Sequence, residues 1–87
     1  MKELVDWKKV KSDIKHALTK YQPKNSQFVN SPYLAEFLIE NQKDYKTFGG
    51  ITLRCAKIRV TTVLREHLNW EVFSNNDGGS VYIMGAI

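Results

Sequence analysis

Residues 51–70 read ITLRCAKIRVTTVLREHLNW, and the fold depends on whether this stretch forms a strand or a helix. Seven of its residues are β-branched, which favours a strand. Strict alternation of apolar and polar residues fails at Cys55 and Ala56, however. Apolar residues instead recur at helical steps of three and four, as a stripe of Leu53, Ala56, Val60, Val63, Leu64 and His67 or Leu68. The spacing therefore predicts a helix over residues 51–68.

The face of this predicted helix opposite its apolar stripe is basic. All three arginines of the chain lie within residues 51–65, which also carry Lys57 and contain no acidic residue. A basic helix without carboxylates is typical of an element that binds nucleic acid. The candidate binding residues are Arg54, Lys57, Arg59, Thr61 and Arg65. We assign Arg54 and Lys57 to base edges or phosphates, and the other two arginines to phosphates. The alternative is a solvated face that binds nothing.

The N-terminal segment predicts an amphipathic helix that ends before Pro23. Its apolar stripe consists of Leu4, Trp7, Val10, Ile14, Ala17, Leu18 and Tyr21. Its outer face carries a secondary basic patch, made of Lys8, Lys9, Lys11 and Lys15. This patch is a second candidate surface for phosphates, although a lysine-rich outer face, paired locally with Asp6 and Asp13, is also ordinary on a helix that binds nothing.

A second helix is expected to begin at Ser31-Pro32, with the serine as N-cap and the proline in the first turn. Its predicted buried side consists of Leu34, Phe37, Leu38 and Tyr45, and its outer side carries an acidic row of Glu36, Glu40 and Asp44. Residues 27–30 just before it are predicted as a short edge strand. Residues 46–50 are predicted as a break, because both of its glycines can adopt positive φ angles.

After Trp70 the apolar period changes from helical to two, which predicts a C-terminal β-hairpin. Residues 72–74 and 81–84 form the predicted strands, and the turn lies at residues 75–80. Four aromatic residues are expected either to pack in the core or, if exposed, to stack on unpaired bases: Tyr33, Phe48, Phe73 and Tyr82. The predicted fold class is therefore α+β, mainly α, with three helices and a C-terminal hairpin.

Composition limits what this chain does. With 87 residues it is expected to fold as a single domain, residues 1–87, and its 43% hydrophobic content is too high for general disorder. The longest apolar runs are far too short to span a membrane, and the N-terminus does not resemble a secretion signal. We therefore expect a cytoplasmic protein without membrane contact. The net charge of +4 favours polyanionic partners.

The residues that usually carry catalysis or bind metals are few. His16 and His67 lie on different predicted helices, and Cys55 is the single cysteine, so no cluster has the spacing of metal ligands. The glycine-containing turn at residues 75–80 lacks the lysine of a phosphate-binding loop. We expect no enzyme activity, no catalytic residue, no metal and no cofactor.

The order of these elements, from residue 6 to residue 84, resembles the winged helix-turn-helix family. The resemblance implies that residues 31–42 are the first helix of the helix-turn-helix, residues 52–68 the recognition helix and residues 75–80 the tip of the wing. It places the face of Arg54, Lys57, Thr61 and Arg65 in or near a major groove. The ending VLREHLNWEV is also similar to small winged-helix modules of phage and plasmid replication helicases and primases. The wing tip departs from a phosphate-binding pattern, because it has Asp77 and no lysine or arginine.

Together these observations predict a DNA-binding winged-helix protein, a small regulator or replication accessory factor of a mobile element. It would contact DNA through the helix at 51–68, with duplex DNA favoured over single-stranded DNA. The alternative is a protein-interaction module, an accessory or inhibitor subunit. That module would dock a protein partner, or a second copy of the chain in a homodimer, through the acidic second helix and a hairpin face of Phe73, Tyr82 and Met84.

Overall fold

Three helices and a three-stranded antiparallel sheet make up the computed structural model, which describes residues 5–21, 28–76 and 79–85. The helices are α1 (Trp7–Tyr21), α2 (Ser31–Glu40) and α3 (Leu53–Thr62), and the strands are β1 (Phe28–Asn30), β2 (Val72–Asn76) and β3 (Gly79–Ile83). A 3-10 turn at Lys46–Phe48 precedes α3, and a π-helical turn at Val63–His67 follows it. The predicted α+β class, with three helices and a C-terminal hairpin, is confirmed.

The sheet has the strand order β1-β3-β2, so the C-terminal hairpin receives the short strand β1 at its free edge. Val29 of β1 pairs with Tyr82 of β3, and both side chains are buried against the helices. A β-bulge interrupts the pairing of β2, because Val72 lies opposite Tyr82 while Ser74 already lies opposite Val81. Phe73 is the extra residue of this bulge. The predicted edge strand is confirmed for residues 28–30, and the predicted hairpin is confirmed with a shorter turn, because Asn75, Asn76, Gly79 and Ser80 belong to its strands. Residues 27, 77 and 78 of these predictions lie outside the described residues.

All three helices and the sheet bury side chains in one hydrophobic core. The helical prediction for residues 51–68 is confirmed, and four residues of its apolar stripe are buried: Ala56, Val60, Val63 and Leu64. The stripe was wrong at its N-terminal end, because Leu53 is 38% exposed. Leu53 is the first residue of α3 and lies where the helix leaves the core. At the other end Leu68 packs partly against the core, whereas His67 is exposed.

The N-cap of α2 is Asn30, one residue earlier than predicted. Its side-chain oxygen accepts from the amide of Tyr33 at 3.2 Å, and Pro32 lies in the first turn as expected. Ser31 does not cap the helix. Its buried hydroxyl donates to the carbonyl oxygen of Ser80 at 2.7 Å and accepts from the Ser80 amide at 3.3 Å. The serine was predicted correctly as a hydrogen-bonding residue but with the wrong partner, since it joins α2 to the hairpin.

The helical segment formed by α3 and the π-turn begins and ends for different local reasons. Thr52 caps α3 by accepting from the amide of Cys55 at 3.1 Å, and Gly50 before it has the positive φ of 73° that a glycine allows. At the other end, the amide of Leu68 donates to the carbonyl of Val63, as in a π-turn. Asn69 then takes a φ of 57°, a left-handed conformation that asparagine tolerates, and reverses the chain into β2.

The first helix is confirmed from Trp7 to Tyr21, and the carboxylate of Asp6 accepts from the amide of Lys9 at its start. Val10, Ile14, Ala17 and Leu18 of its predicted stripe are buried. The predicted contributions of Leu4 and Pro23 fall on residues outside the described part of the chain. Within the described ranges, every helix is too short or too polar to cross a membrane.

Candidate nucleic-acid interface

The predicted binding face of α3 is turned away from the core. Arg54 and Arg65 are exposed, and Lys57 and Thr61 are half-buried between them. These residues share one side of the helix because they follow one another at three- and four-residue steps. Ile58 lies on the same side and is 57% exposed, which is unusual for a large aliphatic residue. The structure therefore brings together four of the five predicted residues, with an exposed apolar side chain among them.

The hydroxyl of Thr61 is already used within the helix. Its Oγ1 lies 3.0 Å from the carbonyl oxygen of Lys57 and 3.0 Å from that of Ile58, and donates to them. Such back-bonding is common for threonine inside a helix. Thr61 thus offers an outside ligand its methyl group and the lone pairs of its oxygen, but its proton is engaged. We expect it to shape the surface between the cations rather than to donate to a phosphate.

Arg59, the fifth predicted residue, points toward the preceding turn. Its Nη1 donates to the carbonyl oxygen of Thr47 at 2.6 Å. The Thr47 hydroxyl and amide in turn donate to Oδ2 of Asp13 in α1, at 2.7 Å and 3.2 Å. This chain of hydrogen bonds, which we call the Asp13–Thr47–Arg59 bridge, ties α3 to the 3-10 turn and to α1. Sequence reasoning missed it because Asp13 and Thr47 are separated by 34 positions, without a local signal that pairs them.

The secondary basic patch on α1 is partly assembled. Lys8 and Lys9 are exposed, Lys11 and Lys15 are half-buried, and three of these lysines line a shallow groove together with Ser12. A neighbouring groove runs between α1 and the 3-10 turn, and is lined by Lys9, Ser12, Asp13, Asp44, Lys46 and Thr47. Two lysines and two aspartates balance in that second groove. The α1 patch therefore borders a groove in which positive and negative charges balance, whereas the α3 face carries cations without a carboxylate among residues 51–65.

Four aromatic residues were predicted either to pack in the core or to stack on bases, and the structure buries two of them and exposes the other two. Phe48 and Tyr82 are fully buried, so neither is available for stacking on bases. Tyr33 and Phe73 are 60% and 59% exposed. Phe28 was not singled out from the sequence, yet its ring lies 4.5 Å from that of Phe73, centroid to centroid. The alternation of Phe28 with buried Val29 in β1 is the signal that could have identified it, since alternate strand residues face opposite sides.

The predicted hairpin face of Phe73, Tyr82 and Met84 is wrong in its composition. Tyr82 points into the core, and Met84 is partly buried against it. The strand register is the physical reason, because Val72 lies opposite Tyr82, so the next residue, Phe73, faces the other side of the sheet. The exposed aromatic pair of the sheet is instead Phe28 with Phe73.

Tyr82 is also unusual in its chemistry. Within the described part of the chain its hydroxyl is buried without a hydrogen-bond partner. Burial raises the pKa of Tyr82 above the ordinary value of a tyrosine, and this outweighs the nearby Ser80 side chain and the positive charge of Arg65, which both act in the opposite direction. Burial also raises the pKa of Tyr45, and the carboxylates of Asp44 and Asp13 add to that effect.

The remaining polar candidates have packing partners. His16 meets Tyr45 edge-on at 5.6 Å, and His67 stacks on Trp7 at 5.7 Å between ring centroids. Cys55 is half-buried in the first turn of α3. The predicted acidic row is exposed, but only Glu36 and Glu40 lie on α2, because the helix ends at Glu40 and Asp44 lies in the turn that follows.

Comparison with known proteins gives no further assignment: no family model, no curated protein and no solved structure matches this chain.

Proposed function

We propose that this protein is a winged helix-turn-helix protein that binds duplex DNA through α3. The observation that carries the proposal is the outer face of α3 and of the π-turn that continues it, where Arg54, Lys57 and Arg65 lie on the side away from the core. A helix fits the major groove, where arginine can pair with two acceptors of guanine and any cation can neutralise a phosphate. A well-made bidentate pair contributes about 1–3 kcal/mol of discrimination between bases.

Arg59 has a different part in this proposal from the one its sequence position suggests. Its Nη1 is engaged with Thr47, so we propose that it fixes the orientation of α3 and adds positive charge close to the backbone of the DNA. Arg54 and Lys57 lie near the helix start and are assigned to base edges or phosphates. Arg65, in the π-turn, is assigned to a phosphate.

Duplex DNA suits this face better than single-stranded DNA does. Proteins that bind single strands combine cations with aromatic side chains on which bases stack. The large apolar side chain exposed among the cations of α3 is that of Ile58. It is aliphatic, which suits contact with thymine methyl groups. The exposed aromatic pair, Phe28 and Phe73, lies on the sheet instead.

The biological setting in the proposal is that of a small regulator or replication accessory factor of a mobile element, acting in the cytoplasm. This part is supported by the likeness of its C-terminal helix and hairpin to winged-helix modules of phage and plasmid replication proteins.

The test is fluorescence anisotropy with a labelled duplex of random sequence and two charge-matched double variants. Arg54→Ala with Lys57→Ala removes two cations from the proposed face. Lys20→Ala with Lys43→Ala removes two exposed cations elsewhere and leaves the net charge of the variants equal. We expect the first variant to lose at least about tenfold in affinity, since two phosphate or base contacts disappear, and the second to stay within a few-fold of the wild type. Equal losses in both variants would mean that only net charge matters and would refute an α3 site.

A protein-interaction module is the second candidate, and the exposed Phe28–Phe73 pair favours it. In that case the acidic row of α2 would also be part of the docking surface. Charge reversal of Glu36 and Glu40 to lysine would then abolish partner binding, whereas a DNA-binding protein with those changes would bind its duplex at least as tightly as the wild type.

A further inference from the structure

Ile58 lies at the centre of the outer face of α3. It is 57% exposed, whereas Ala56 and Val60, the residues that α3 buries, are fully enclosed. Successive residues of an α-helix are about 100° apart around its axis, so Ile58 lies directly opposite the midpoint between these two. Arg54 lies one turn before it and Thr61 about one turn after it, on the same side of the helix. The centre of a basic helix face is therefore apolar.

The groups around Ile58 define the chemistry of this face. The hydroxyl of Thr61 donates to the carbonyl oxygens of Lys57 and Ile58 within the helix, so its proton is engaged. The helix carries Arg54, Lys57 and Arg59 and has no carboxylate. A ligand of this face must therefore offer an apolar group at its centre and negative charge around it.

The major groove of duplex DNA meets both requirements. Each thymine presents its 5-methyl group there, beside the hydrogen-bonding edges of the bases, and phosphates border the groove on both sides. Arg54 and Ile58 are four residues apart, which is about 6 Å along the helix axis. Base pairs follow one another every 3.4 Å or so, and the two side chains therefore reach base pairs within about two steps of each other.

We propose that Ile58 is the specificity-determining residue of the α3 face and reads the 5-methyl group of thymine in the major groove. The inference rests on the proposed binding of duplex DNA and adds the chemical group that is recognised. The exposed cations supply affinity for any duplex, because phosphates are the same in every sequence. The apolar contact of Ile58 discriminates between sequences, because removing one methyl group from water corresponds to about a fourfold gain in the binding constant.

The test compares thymine with uracil in one duplex. The wild-type protein first selects its preferred sequence from a pool of random duplexes, and that duplex is then synthesised with thymine or with uracil. Uracil lacks the 5-methyl group but keeps the base pairing, the O4 acceptor and the phosphate charge. Fluorescence anisotropy gives the ratio of the two dissociation constants for the wild type, Ile58→Ala and Val72→Ala. Val72 is the matched control, because it is an aliphatic residue of β2 that is 38% exposed. Circular dichroism establishes that each variant is folded.

We expect the wild type and Val72→Ala to bind the thymine duplex about fourfold more tightly than the uracil duplex. Ile58→Ala should bind the two duplexes equally, because the side chain that contacts the methyl group is gone. The inference is overturned, with DNA binding left intact, by a wild type that selects duplexes without thymine or binds both duplexes equally. It is also overturned by a folded Ile58→Ala that keeps the preference, or by a Val72→Ala that loses it. Absence of binding to any duplex at low salt refutes the proposed function itself and this inference with it.

Discussion

Arg59 and Thr47 are joined by a short hydrogen bond, 2.6 Å from the guanidinium Nη1 to the carbonyl oxygen. This contact has two consequences. It anchors the middle of α3 to the turn that precedes it, and it separates Arg59 from Arg54 and Arg65, which are exposed. Arginines that look equivalent in the sequence therefore have different roles in the structure.

We expect Arg59→Ala and Arg65→Ala to differ in stability. Arg59→Ala removes a charge-assisted hydrogen bond and should lower the free energy of unfolding by about 1–2 kcal/mol. Arg65→Ala removes an exposed side chain and should stay within about 0.5 kcal/mol of the wild type. Urea unfolding followed by circular dichroism measures both. If the account is correct, Arg65→Ala weakens DNA binding at unchanged stability, whereas Arg59→Ala weakens both. Equal stability of the two variants would show that the Thr47 contact contributes little.

The Asp13–Thr47–Arg59 bridge also predicts the effect of Thr47→Val. Valine keeps the shape of threonine but removes the hydroxyl that donates to Asp13 at 2.7 Å. We expect a loss of about 1 kcal/mol in the free energy of unfolding. Thr19→Val is the matched control, because the Thr19 hydroxyl donates to the carbonyl of His16 within α1, on its exposed side. A cost as large in the control as in Thr47→Val would argue against the bridge.

The corrected roles of Asn30 and Ser31 lead to a third prediction. Asn30→Ala removes the cap of α2 and should cost about 1 kcal/mol. Ser31→Ala leaves the amide and carbonyl of Ser80 without their partner and should cost about 1–3 kcal/mol. Hydrogen exchange distinguishes the two variants: exchange of the Ser80 amide should accelerate in Ser31→Ala more than global stability explains. Unchanged exchange there would mean that the hydroxyl does not hold the hairpin.

Tyr82→Phe is expected to stabilise the protein. The hydroxyl it removes is buried and has no partner within the described part of the chain, so its removal should gain about 1 kcal/mol. Its pKa in the folded state is raised above the unfolded value of about 10. The folded state therefore resists ionisation, and stability is complete below pH about 10 and is lost as pH rises through the higher folded pKa.

Thermal unfolding between pH 8 and pH 11 tests this prediction. The wild type should lose stability above pH about 10, and Tyr82→Phe should lose less. Part of the loss should remain in the variant, because burial also raises the pKa of Tyr45. A destabilised Tyr82→Phe would show that its hydroxyl has a hydrogen-bond partner after all.

The elements of this fold were largely predictable because their signals are local. Helical spacing decided the segment at 51–68 despite its β-branched residues, and the change of period after Trp70 identified the hairpin. Errors occurred at element ends. Asn30 and Ser31 are both good caps, and the sequence alone does not reveal that Ser80 competes for the serine. Leu53 fits the apolar period but lies beyond the core.

The surfaces were harder to predict because they depend on contacts between distant residues. The role of Arg59 depends on Thr47 and Asp13, which come from two other elements. The side of the sheet on which Phe73 lies depends on the register of β2 against β3, in which Val72 lies opposite Tyr82, and the sequence does not give that register. The basic face of α3 was predictable, since its residues are close in sequence and lie on one helix.

The salt dependence of DNA binding is the most decisive measurement. Fluorescence anisotropy of the wild-type protein with a labelled duplex, at about 50 to 200 mM salt, gives the slope of log K against log salt concentration. Contact of three phosphates by the α3 face predicts a slope of about −3, and the same protein should bind a single strand of equal length more weakly. Absence of duplex binding at low salt, or a slope near zero, would contradict a DNA-binding role for this protein.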